Sequence, residues 1–139
     1  MRRVLFRIAS VLIILLDLGH TSGYPWSDPA WGVDLHALQS SHFDILGSNR
    51  TYWNFYVGFG LSISVLLLLP AVIAWQLGMP DARRVRSVAW LLVVLFAALT
   101  IVNGVFFFVI PIAFSGAITL CLAAAAISSP SNAISSGAQ

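Results

Sequence analysis

Asp17 and His20 stand three residues apart at the end of an otherwise apolar run. That spacing puts both on one face of a helix. A carboxylate beside an imidazole is a minimal device for moving a proton, and histidine is the side chain suited to exchanging protons near neutral pH. Arg50 and Asn54 open a second apolar stretch, Thr100 and Asn103 approach the end of a third, and Ser115 lies near the start of a fourth. At a rise of about 1.5 Å per residue, these positions fall within a turn or two of one another in depth. Polar groups inside a membrane are costly and face a bundle interior or a cavity. The candidate ligand-binding set is therefore Asp17, His20, Arg50, Tyr52, Trp53, Asn54, Gly58, Thr100 and Asn103, with Gly58 and Ser62 as its floor.

Two accounts of this set compete. In the preferred one it is structural: Asp17 pairs with Arg50, and amides and hydroxyls tie helix to helix at ~0.6 kcal/mol each. In the other it lines a pocket for a lipophilic molecule such as a quinone, terpenoid or sterol-like compound, and His20 and Asp17 serve as an acid–base pair for its isomerisation, hydration or proton-coupled handling. The chain has no nucleophile–base motif and no phosphate loop, so no catalytic residue is assigned and no cofactor is expected. His36 and His42 are six apart, outside the three-to-five spacing of zinc pairs, and no metal site is expected. The lone Cys121 excludes an intrachain disulfide or a CxxC pair.

The elements that carry these residues follow from composition. Of 139 residues, 59% are hydrophobic and 9% charged, and the mean hydropathy is +0.91. A soluble domain carries about a quarter of its residues as charged groups. Four apolar stretches, at about 4–20, 52–78, 87–107 and 111–127, each approach the ~20 residues that cross a bilayer. The expected fold is all-α, an integral membrane four-helix bundle over residues 1–127 with a flexible tail at 128–139. The turn between the last two spans is placed near 109–111, because proline fits the first turn of a new helix.

All seven basic residues are arginines, and six fall in two clusters: Arg2, Arg3 and Arg7, then Arg83, Arg84 and Arg86. The positive-inside rule puts the N-terminus, the 80–86 loop and the tail in the cytoplasm. The arginines read as orientation signals, not as a nucleic-acid face. A cleaved leader is the competing reading of the first segment, but Thr21-Ser22-Gly23 is a poor cleavage site and a retained span is preferred.

The outer loop divides in two. Tyr24, Trp26 and Trp31 suit the water–lipid interface. Residues 34–46 read as a short amphipathic helix, with Asp34 capping its start, Gly47 ending it, and Leu35, Leu38, His42 and Leu46 on one face. After it, Arg50, Asn54, Gly58 and Ser62 recur at every fourth position as a polar, small-residue stripe. Gly58/Ser62 and Gly60/Ser64 are small-xxx-small pairs, and Gly58 is expected to touch a neighbouring helix.

Gly19-His20, followed by HFDILGSNRTYWNFYVGFGL and AVIAWQLG, resembles a family of small four-span bacterial inner-membrane proteins of unknown function, distantly DoxX-like in architecture. The resemblance covers about residues 18–78 and rests mainly on the GFGL core with its upstream aromatics. It implies a four-helix membrane bundle and supplies no reaction. Asn54 takes a position where relatives would carry Asp or Gly, which counts against a carboxylate role there. Three functions follow: a structural or accessory component, an enzyme or binder for a lipophilic molecule, and a small transporter subunit. Partners expected are membrane lipids, a lipophilic small molecule, and a second copy or a membrane partner protein, with no nucleic acid. Transport is disfavoured because no pair of broken helices occurs in matching positions.

Overall fold

The computed structural model describes residues 1–23, 34–79 and 85–128. Along the chain run α1 (Arg2–Gly23), α2 (Leu35–Ser40), β1 (His42–Ile45), β2 (Ser48–Thr51), α3 (Tyr52–Leu77), α4 (Val85–Phe106) and α5 (Val109–Ile127). Among the described residues the fold is all-α apart from one two-stranded sheet. The four long helices α1, α3, α4 and α5 are each long and apolar enough to cross a membrane. The break between the last two is a two-residue connection, Phe107–Phe108, and Pro111 sits in the first turn of α5, where its missing N–H costs nothing. The interfacial aromatics Tyr24, Trp26 and Trp31, residues 80–84 of the basic loop, and the tail from 129 lie outside the described residues.

The chain divides into two compact units, one of Met1–Leu16 with Leu69–Gln139 and one of Asp17–Leu68. All four long helices contribute to the first. Its buried positions keep helical spacing: Phe6, Ala9 and Ile13 on α1, Ala89, Val93 and Phe96 on α4, Ile118, Leu122 and Ala125 on α5. Six of its buried residues are alanines: Ala9, Ala71, Ala74, Ala89, Ala125 and Ala126. Lipid tails are as apolar as leucine, so burial from lipid gives helices no hydrophobic drive. Association depends on close approach, and alanine permits it.

Within this unit α1 and the end of α3 run antiparallel. The buried Ser10 hydroxyl donates to the Ala71 carbonyl at 2.8 Å. The Arg7 guanidinium lies 3.5 Å from the centroid of the Trp75 ring. Gly78 packs so closely that a Cβ there would meet Arg7 Nε at 3.0 Å and the Arg3 carbonyl at 3.3 Å. α3 continues as helix through Pro70. Between α4 and α5, Asn103 Nδ2 donates to Ser115 Oγ at 3.2 Å and to the Pro111 carbonyl at 3.3 Å.

The second unit corrects the outer loop. Asp34 does cap α2, its Oδ1 accepting the Ala37 N–H at 3.0 Å. The helix then stops at Ser40, and residues 42–51 form an antiparallel hairpin with His42 opposite Thr51, Phe43 opposite Arg50, Asp44 opposite Asn49 and Ile45 opposite Ser48. The polar–apolar alternation of His42-Phe43-Asp44-Ile45 fits a strand, and it outweighs the helical spacing of Leu38, His42 and Leu46. Gly47 is not a helix stop. Leu46 at φ 50 and Gly47 at φ 77 are the two central residues of the turn, the positive-φ pair that a type I′ hairpin requires. Leucine is sterically disfavoured in that backbone region, and Leu46 is fully exposed.

Thr51 ends β2 and begins α3 in one step. Its Oγ1 accepts the Asn54 N–H at 3.1 Å, while Asn54 Oδ1 accepts the Thr51 N–H and hydroxyl, both at 3.0 Å. This reciprocal capping box fixes the hairpin to the first turn of α3. Thr51→Ala removes the side-chain half of the cap and should cost about 1 kcal/mol, while Thr51→Ser should cost less. Thermal melts in detergent read the difference; an alanine variant that melts with the wild type would mean the cap contributes nothing.

Candidate functional site

The candidate polar residues are built into three separate arrangements. On the last turns of α1, Asp17 is buried at 7% exposure. The Thr21 hydroxyl lies 3.3 Å from Asp17 Oδ1 and 2.7 Å from Ser64 Oγ on α3. His20 Nε2 donates to the Gly60 carbonyl at 3.1 Å, since a carbonyl can only accept. Asp17, His20 and Thr21 all project from the face that meets α3. Gly60, buried and without a side chain, leaves its carbonyl open to the imidazole.

Arg50 and Asn54 take no part in that cluster. Arg50 is exposed on β2, and its guanidinium donates to the Asn49 carbonyl at 2.8 Å. The expected Asp17–Arg50 ion pair does not form; Asp17 accepts instead from the Thr21 hydroxyl. Asn54 is committed to the capping box. Gly58, expected against another helix, is exposed, and a Cβ there would meet nothing within 4 Å. The small pair that faces α1 is Gly60/Ser64. Two residues along a helix is a rotation of about 200°, so the Gly58/Ser62 stripe looks the other way. Ser62 turns back on its own helix, donating to the Gly58 carbonyl at 2.8 Å.

Thr100 and Asn103 belong to the α4–α5 pair. The Thr100 hydroxyl donates to its own helix at the Phe96 carbonyl, 2.7 Å away. Both Nδ2 hydrogens of Asn103 are engaged by Ser115 and Pro111. On the hairpin, His42 Nδ1 donates to Asn49 Oδ1 at 2.7 Å, and Asn49 Nδ2 donates to Asp44 Oδ1 at 3.1 Å.

The aromatic residues form a further surface, and of those lining it only Tyr52 belongs to the candidate set. Tyr52 packs on Phe43 with ring centroids 5.1 Å apart, Phe43 on Phe55 at 5.1 Å, and Phe55 on Phe59 at 5.9 Å. Trp53 points elsewhere and stacks on Tyr56 at 5.4 Å. Phe43, Ile45, Tyr52, Phe55 and Phe59 line an open groove of about 580 Å³. The signals for it are the three- and four-residue spacings of Tyr52, Phe55 and Phe59, plus the alternation that brings Phe43 and Ile45 to one hairpin face. Thr51-x-x-Asn54 was likewise a readable capping signature. No protein-family model matches this chain, and no match was found among curated proteins or solved structures.

Proposed function

We propose that this protein is a structural or accessory component of the bacterial inner membrane, with its first span retained and both termini cytoplasmic. It belongs, on this proposal, with the small four-span family that its GFGL motif resembles. One observation carries the reading: four polar side chains inside the spans tie one helix to another. Ser10 reaches Ala71, Thr21 reaches Ser64, His20 reaches Gly60 and Asn103 reaches Ser115. Hydroxyls, amides and imidazoles used in this way join helices in lipid and need no ligand.

The test compares stability with cellular function across the ties. Thr21→Val, His20→Ala and Asn103→Leu should each lower the melting temperature in detergent, and activity in a deletion-complementation assay should fall in the same order. A His20→Ala protein that melts like the wild type yet fails to complement would overturn the structural reading. Fusions that report compartment, placed within residues 80–86, should score cytoplasmic.

The open aromatic groove favours a second reading, a binder of a lipophilic molecule. Under it, a quinone-, terpenoid- or sterol-like mass should co-purify and be lost on Phe55→Ala.

A further inference from the structure

We propose that the hairpin and the first two turns of α3 hold one anionic phospholipid of the surrounding bilayer, with its phosphate at Arg50 and an acyl chain along Tyr52, Phe55 and Phe59. This goes beyond the accessory role, because it assigns a ligand to a surface that the helix ties do not use.

Three observations converge on it. The groove is apolar, open on one side, and begins where α3 begins, so whatever surrounds the membrane span has access to it. Tyr52 to Phe59 covers about 10 Å of helix, a large part of the ~15 Å hydrocarbon depth of one leaflet. A flexible chain fits an aromatic trough of about 580 Å³ better than a second helix does, since helix packing needs 8–10 Å between axes over several turns.

The second observation is charge. Register puts Arg50 directly opposite Phe43, and residues directly opposite share a face, so the Arg50 side chain leaves the strand on the face that carries Phe43 and Ile45 of the groove. Arg50 is exposed and gives one N–H to the Asn49 carbonyl, while a guanidinium carries five donors in a fork that matches phosphate. The one carboxylate of the hairpin, Asp44, lies opposite Asn49 on the other face and is held by its amide.

The third is Leu46. At the hairpin tip it occupies a backbone region that favours Asn or Gly, and its side chain is fully exposed. Beside it Ile45 is about half exposed. Lipid around the tip gives both side chains an apolar environment that the fold does not.

Native mass spectrometry of the full chain, loaded with phosphatidylglycerol or with phosphatidylcholine of identical acyl chains, tests this. The wild type should retain one phosphatidylglycerol in preference to phosphatidylcholine. Arg50→Ala should bind phosphatidylglycerol about fivefold more weakly and lose the preference. Phe59→Ala should release both lipids more readily. Equal retention of the two headgroups by the wild type, or an unchanged preference in Arg50→Ala, would overturn the proposal. A benzophenone-bearing analogue in place of Phe59, on a chain with Arg50 intact, provides an arm that survives if an Arg50 variant unfolds. It should yield an adduct of phospholipid mass. A covalent dimer of the chain, or an adduct of quinone-like mass, would overturn the assignment.

Discussion

Gly78→Leu should destabilise the protein by about 1–3 kcal/mol, whereas Gly58→Leu should leave its stability unchanged. Sequence favours the opposite expectation, because Gly58 lies in a small-xxx-small pair and Gly78 stands just past the end of α3. Geometry reverses the order. A Cβ at Gly78 meets Arg7 Nε at 3.0 Å, the Trp75 carbonyl at 3.1 Å and the Arg3 carbonyl at 3.3 Å. Two of these are backbone atoms that cannot swing aside. The third belongs to a guanidinium already laid over the Trp75 ring, so moving it forfeits a cation–π contact of roughly 0.5–2 kcal/mol. At Gly58 there is open space. Unfolding both variants by sodium dodecyl sulfate titration in mixed micelles reads the difference. Equal midpoints for Gly78→Leu and the wild type would refute the close approach.

Phe96→Ala should be the most damaging substitution among the apolar residues of α4. Phe96 is fully buried, and truncations of this kind cost about 3–5 kcal/mol in soluble cores. In lipid the transfer contribution drops out, since the side chain leaves one apolar medium for another. What remains is the dispersion lost around the cavity. The expected cost therefore lies at the low end, ~3 kcal/mol. The control is Leu91 on the same helix, 70% exposed, where Leu91→Ala should change stability by less than about 0.5 kcal/mol. A Phe96→Ala effect no larger than that of Leu91→Ala would mean that packing against Phe96 does not hold this unit together.

Much of this architecture was legible because membrane spans are written in length and charge. Long apolar stretches marked four helices, two of them within the one uncharged run 87–127, and Pro111 marked the start of the fourth. What was not legible turned on rotation and on a competing period. Gly58 and Gly60 look alike in a helical repeat, and only the partner helix decides which face is inward. Residues 42–46 carry both a helical and a strand pattern over too few residues to choose between them, and the turn lacks the Asn or Asp that announces a hairpin. Asp17 and His20 share a helix face by their spacing, but their partners, Thr21, Ser64 and the Gly60 carbonyl, include a backbone atom that no residue identity reveals.

The connection between α4 and α5 bears on how the pair sits in lipid. Two phenylalanines, Phe107 and Phe108, join helices of 22 and 19 residues, with no polar loop between them. A lone α4 entering the bilayer would take the Asn103 amide into hydrocarbon without its partners. As a pair, the two helices satisfy that amide through Ser115 and Pro111. The last 40 or so residues of the membrane region thus form a single apolar clasp, in which α5 supplies the acceptors for the one side-chain amide of α4.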